Sequence, residues 1–239
     1  MIWAPTCTTL TRLITEVEFT LRIKKPFVLG LVGGVASGKS HVARTLERLG
    51  AVSIDADQLG HQVLLRPLIV RRLRQLFGPH IIDAAGVVKR KELGELVFGD
   101  SAAAGEARRE LEAIVHPLIH AAAVHQLRGL QEAEDPPELV VIDAPLLLEA
   151  GWAPLCDAIL FIDSPTEVRL RRARERGWSE QDFNHREAAQ MPLERKRKEA
   201  THIIVGEAEP QEQERQLRRL IEEIKATSSV RGRGGKGGR

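Results

Sequence analysis

Apolar residues along the chain fall into two rhythms. Five short uninterrupted runs, at 27–32, 51–54, 139–142, 158–162 and 203–205, are rich in Val, Ile and Leu and each is too short for an independent helix. Continuous runs, unlike alternating ones, mark strands buried on both faces of a parallel sheet. Helix-like segments separate most of them, so the pattern predicts an α/β fold built on a doubly wound parallel sheet of about five strands.

The second rhythm is helical. Between 66 and 130 there is little strand character, and Glu110, Leu111, Ile114, Val115, Leu118 and Ile119 recur at three- and four-residue intervals. This reads as a helical insertion between the second and third strands. Residues 167–199 are dense in charge and poor in apolar positions, which predicts a mobile helical pair acting as a lid. The organisation expected is therefore a core of 26–65, 131–166 and 200–226, an insertion at 66–130 and a lid at 167–199. Residues 1–25 form an N-terminal extension. They contain Glu16 and Glu18 and lack a cationic start followed by an apolar stretch, so they do not read as a signal peptide. Residues 227–239 read as a disordered Gly/Arg tail with nothing to bury.

Composition narrows the picture. No apolar run approaches the roughly 20 residues needed to span a bilayer, so no membrane segment is expected. The formal net charge is +2. Arg231, Arg233, Lys236 and Arg239 alone exceed it, so the body is slightly acidic and gives no electrostatic case for nucleic acid. Only the basic tail could touch RNA. Cys7 and Cys156 are the only cysteines, too few for a disulfide framework or a four-cysteine metal site, and a reducing cytoplasm is the expected location.

The candidate chemistry begins directly after the first run. Gly33-Gly-Val-Ala-Ser-Gly-Lys-Ser40 matches G-x-x-x-x-G-K-S/T, and residues 41–49 read as the helix that should follow. Glycines let the chain turn so that backbone N–H groups face phosphate oxygens, and the helix N-terminus adds partial positive charge. Gly33, Gly34, Ala36, Ser37, Gly38, Lys39, Ser40 and His41 are the expected nucleotide-binding set. Lys39 is expected on the β- and γ-phosphates and Ser40 on Mg²⁺. The second run ends in Ile54-Asp-Ala-Asp57. In an extended chain Asp55 and Asp57 share a face, and either can take a proton from an attacking hydroxyl; the competing role for Asp57 is to cap a helix starting at Gln58. Leu139-Val-Val-Ile-Asp143 is a hydrophobic strand ending in a carboxylate, which places Asp143 near the metal. Arg169, Arg172 and Arg176 share one helical face, where a guanidinium can clamp a transferring phosphate.

These motifs, with His116-Pro117, Asp143-Ala-Pro-Leu-Leu-Leu-Glu149, Ser164-Pro-Thr-Glu167, Arg186-Glu-Ala-Ala-Gln190 and Gln190-Met-Pro-Leu-Glu-Arg-Lys196, occur in one order over residues 26–223. That succession resembles the dephospho-coenzyme A kinase family. The resemblance implies a P-loop NTPase-type fold and ATP- and Mg²⁺-dependent phosphorylation of the ribose 3′-hydroxyl of dephospho-coenzyme A, the last step of coenzyme A synthesis. It implies Asp57 as base, Arg90 and His116 on the acceptor-binding insertion, and Arg172 and Arg176 as lid arginines. His116 has a plainer reading as the end of a helix, because the residue before proline disfavours the α region. Two departures from the family pattern stand out. Ala36 occupies a usual glycine position, which requires a negative φ there; and Val205-Gly206-Glu207 replaces an Asn-containing turn. The rival readings are another P-loop kinase acting on a nucleoside or nucleotide, and a non-catalytic nucleotide switch.

Overall fold

The computed structural model describes residues 25–97 and 101–231; the N-terminal extension before Lys25 and the tail after Arg231 lie outside them. All five apolar runs become strands: β1 (Phe27–Gly33), β2 (Val52–Asp55), β3 (Leu139–Asp143), β4 (Ala158–Asp163) and β5 (His202–Val205). They form one parallel sheet in the order β2-β3-β1-β4-β5. Leaving β1 the chain runs to the β2 edge, and leaving β3 it runs to the β4 side, so a crevice opens beyond the C-terminal ends of β1 and β3. Register makes this end chemical, because Asp143 lies opposite both Leu31 of β1 and Asp55 of β2.

Period-two alternation explains why uninterrupted apolar runs were needed. Leu29, Leu31, Val141, Leu160 and Ile162 point to one face, where α1 (Lys39–Arg48) and α9 (Pro210–Arg231) cover them. Val28, Val32, Val140, Ile142 and Phe161 point to the other, against α2 (Ala56–Leu64) and the second half of α5 (Ala102–Gln131). Each fully buried Leu or Ile side chain contributes roughly 1.5–3 kcal/mol relative to exposure. Helix α9 continues to Arg231, four residues past the position where the sequence places the start of the tail.

The insertion has its own small core. Leu73 of α3 (Pro67–Phe77), Ile81, Val88, and Leu93 and Val97 of α4 (Arg90–Val97) are buried together against Ala107, Leu111 and Ile114 of α5. Helix α5 is 30 residues long, about 45 Å at 1.5 Å per residue, and so serves two cores, with Ala123 and Leu127 packed on the sheet. Pro117 lies inside it. The competing reading of His116 as the end of a helix is therefore corrected: tertiary packing on both sides carries the helix through, at the cost of the one hydrogen bond the proline cannot donate.

The charged segment 167–199, expected as a helical pair forming a lid, also differs from expectation. It contains three helices, α6 (Thr166–Glu175), α7 (Glu180–Ala188) and α8 (Leu193–Glu199). One of its apolar contacts reaches the phosphate loop, where Ala173 and Phe183 are buried with Val35 and Ala36. Ser179 and Asp182 start α7 with a reciprocal capping box. Among the described residues no helix is long and apolar enough to cross a membrane.

Gly30 shows how tightly β1 is overlaid. A Cβ there would sit 2.7 Å from Cys156 Sγ and 2.9 Å from Leu147 Cδ1, and Leu147 is fully buried. Gly30→Ala is expected to lower unfolding free energy by about 1–3 kcal/mol, measured by urea denaturation; an unshifted midpoint would show that the 147–156 segment yields freely.

Candidate active site

The turn from β1 into α1 creates the anion site. Gly38, with φ 104°, is the N-cap of α1; no side chain caps the helix and its first turn holds no acidic residue. The first N–H groups of a helix lack intrahelical partners, so this end is left to a negatively charged ligand. Ser37 N–H donates to Gly34 O at 3.2 Å, and His41 and Val42 N–H both donate to Gly38 O at 3.0 Å, which closes the turn. Ser37 is 1% exposed and its Oγ has no hydrogen-bond partner among the described residues.

Ala36 corrects the sequence expectation, since its φ is +57° and not negative. The loop needs a left-handed residue here whatever the side chain. Strain of about 1–2 kcal/mol is offset in part by the methyl group, which is buried with Val35, Ala173 and Phe183.

Lys39 bends back over the loop, its Nζ 3.4 Å from Gly33 O and 3.3 Å from Gly34 O. Burial lowers its pKa to about 8, against the opposing pull of Asp143 and Asp57. Ser40 and Asp143, at the end of β3, line the same cleft, and the Ser40 hydroxyl favours the charged form of the Asp143 carboxyl. Burial holds the Asp143 carboxyl above its ordinary pKa, with Lys39 opposing.

The geometry of the two aspartates after β2 is not the one expected. Helix α2 begins at Ala56, so Asp55 and Asp57 are not related by an extended chain. Asp55 is the cap, its Oδ1 accepting from Gln58 N–H at 3.0 Å. This removes the capping role from Asp57, which lines a cleft of about 820 Å³ together with Lys39, Ser40 and Asp143. Desolvation by the cleft walls, and then the Asp55 charge, raise the Asp57 pKa.

The far walls of that cleft come from the insertion, through Arg108 and Glu112 of α5, and from the lid, through Arg176, Trp178, Arg186 and Gln190. Arg108 Nε and Glu112 Oε1 pair at 2.7 Å, and Arg186 lies over the Trp178 ring at 4.3 Å. None of Arg108, Glu112, Trp178 or Arg186 was singled out as a site residue from sequence. Only the four-residue spacing of Arg108 and Glu112 hinted at a helical pair. Conversely, Arg90 is exposed at the start of α4 and His116 is half-buried on α5, and neither lines the cleft. His41 is exposed on α1. Arg172 is committed to backbone, donating to Ser37 O and Gly206 O at 2.9 Å each, while Arg176 faces the cleft.

Two motifs known only as sequence become a buried ion pair. Lys196 is 1% exposed, and its ammonium meets Glu149 at 3.0 Å and Gln190 Oε1 at 2.8 Å; Glu149 also accepts the Met191 N–H at 2.8 Å. A buried ammonium persists only when paired in this way. The pair ties 190–196 to the segment after β3. Gly206 has a steric reason as well: a Cβ there would meet Ile162 Cγ2 at 2.7 Å and Ser37 O at 3.0 Å, so no larger residue fits beside the loop.

A phosphate loop at a sheet crevice, a carboxylate across from it and a helical lid above meet the needs of moving a phosphoryl group between two bound small molecules away from water. Fold and cleft together define a P-loop kinase. A family model described as Dephospho-CoA kinase matches residues 27–212. A dephospho-CoA kinase from Geobacter sulfurreducens is 41% identical over 200 residues, covering 82% of this chain and 96% of that protein. One from Aquifex aeolicus is 34% identical over 197 residues, with the same two coverages. Among solved structures, one from Thermus thermophilus superposes with a TM-score of 0.68 at 34% identity, covering 84% of this chain and 98% of that one. The dephospho-CoA kinase of Campylobacter jejuni gives a TM-score of 0.58 at 26% identity over the same shares. The chain belongs to the dephospho-CoA kinase family, enzymes of the final step of coenzyme A synthesis.

Two predictions test the loop. Ala36→Gly exchanges strain for lost packing and chain freedom and should change stability by less than about 1 kcal/mol. Ala36→Val, β-branched at a positive φ, should cost more than about 2 kcal/mol; equal urea midpoints for the two would refute the conformation. For Lys39, the folded pKa of about 8 lies below the ordinary 10.5, so the folded chain sheds this proton first. Stability from this group is therefore lowest below pH 8 and rises between pH 8 and 10.5. The stability difference between wild type and Lys39→Met should climb through that window, and a flat difference would contradict it.

Proposed function

We propose that this kinase transfers the γ-phosphoryl group of ATP to the ribose 3′-hydroxyl of dephospho-coenzyme A, giving coenzyme A and ADP, with Asp57 as the base. The observation that carries this reading is the division of labour between neighbours. Asp55 takes the helix cap, which leaves Asp57 open to the cleft shared with Lys39, Ser40 and Asp143.

The same residues fit a magnesium–nucleotide complex. Ser40 and Asp143 supply hard oxygen donors to the same cleft. Among the described residues no group of three or more His, Cys, Asp or Glu forms a cage. That is the donor set expected for Mg²⁺, which takes one or two protein oxygens and completes its shell from phosphate and water. When bound, the ion would neutralise charge on the β- and γ-phosphate oxygens.

This chain's own part is positioning and charge. The uncapped N-terminus of α1 and the loop amides hold the phosphates, and Lys39 turns its ammonium toward the charge that spreads in the transition state. Arg176, on the cleft wall, is the lid guanidinium we assign to the transferring group. Arg172 acts from behind by holding the Ser37 carbonyl. Arg108 of the insertion is our assignment for the acceptor's phosphates, since Arg90 and His116 stand away from the wall. Asp57 accepts the acceptor's proton, so turnover requires it ionised. Its raised pKa places the acid limb of the rate above the ordinary carboxylate value of 3.8.

Asp57→Asn should leave ATP binding intact while reducing kcat by about 100-fold or more, and the acid limb should vanish from the residual activity. An unchanged rate would remove Asp57 as base. The acceptor is tested by ADP release with dephospho-coenzyme A, adenosine, AMP or no acceptor, identifying the product by mass. Stimulation by dephospho-coenzyme A with coenzyme A formed is expected. Stimulation only by adenosine or AMP would overturn the acceptor assignment.

A further inference from the structure

One buried ion pair lies outside the cleft wall yet touches the phosphate loop. Arg169 of α6 is 2% exposed, and all three of its guanidinium nitrogens make hydrogen bonds. Nε donates to Ser164 O at 3.1 Å, Nη2 to Thr166 Oγ1 at 3.2 Å, and Nη1 to Val35 O at 3.4 Å and to both oxygens of Glu187 at 2.8 Å. Glu187, near the end of α7, accepts the Val35 N–H at 3.1 Å. Both polar groups of Val35 are thus held by one lid pair, one residue before the left-handed Ala36. The fit is close, since a Cβ on Gly34 would come within 2.5 Å of Arg169 Nη1. The Phe183 ring, 5.3 Å from the guanidinium, shields it from one side.

We infer that Arg169 and Glu187 are positioning residues for ATP: they fix the Val35 peptide so that the following amides face the cleft, and each cancels the other's charge beside the phosphates. The inference rests on the reading of residues 33–40 as the triphosphate site. A pair with only a structural role would loosen the loop whichever partner was lost. A charge-balanced pair responds with opposite signs, because the unbalanced partner is an anion in one case and a cation in the other.

The test is the ATP dissociation constant, titrated for single and double variants. Arg169→Met leaves the carboxylate unbalanced and should weaken ATP binding by about tenfold. Glu187→Gln keeps an oxygen for the Val35 N–H, leaves the guanidinium unbalanced, and should tighten ATP binding by about threefold. The double variant should return toward wild type, and both single effects should shrink with added salt. Weaker binding, or no change, in Glu187→Gln overturns the inference, and that variant alone decides if Arg169→Met does not fold. Lys39→Ala, titrated alongside, separates the two levels. If it binds ATP normally, the triphosphate-site reading fails. If it loses ATP while Glu187→Gln also weakens binding, only the charge-balance inference fails.

Discussion

The direction in which the peptide groups between Gly33 and Ser40 point is the constraint on which the rest of the molecule depends. An amide faces the cleft only if its carbonyl neighbours face away and are satisfied there, since a buried, unpaired backbone group is costly. The structure supplies those partners from behind. Ser164 Oγ and Arg172 take the Ser37 carbonyl, Arg169 takes that of Val35, and the Lys39 ammonium spans those of Gly33 and Gly34. Three of these donors stand on the helix after β4 or in the link that leads to it, so the loop is shaped by a part of the chain more than 120 residues away in sequence.

That dependence explains how charge is arranged. Arg169 and Lys196 are both almost fully buried, and each is matched by a glutamate from another element. Removing either glutamate would strand a cation in low dielectric, where an unpaired charge costs far more than an exposed salt bridge returns. Lid, loop and the segment after β3 are therefore locked to one another by pairs that tolerate little independent change. The open charges, Lys39, Asp57 and Asp143, are those facing the cleft, with their pKa values moved by the walls around them.

The insertion meets the core through α5 and, at Leu64, through the end of α2. Helix α5 gives its first half to the insertion's core and its second half to the sheet, so Arg108 and Glu112 reach the cleft from a helix whose other end is fixed under β3. Pro117 lies between the two halves. The cleft wall formed by Arg108 and Glu112 and the phosphate loop thereby share one reference, the sheet itself.

Periodicity and local motif alone determined the five strands, the phosphate loop, the strand-end Asp143 and the helical character of 66–130, because each depends on side-chain spacing within a few residues. What depends on distant partners was not legible. The sign of φ at Ala36 follows from how the loop is held by α6 and α7. The freedom of Asp57 follows from Asp55 reaching Gln58 once α2 begins two residues earlier than the capping reading allowed. A helix through His116 and Pro117 is stable because two separate cores pull on it, and a charge-rich segment such as 167–199 packs firmly because its arginines find backbone carbonyls and glutamates that no local pattern announces. Sequence spacing decides which face a residue occupies; only the folded chain decides which charge or carbonyl that face will meet.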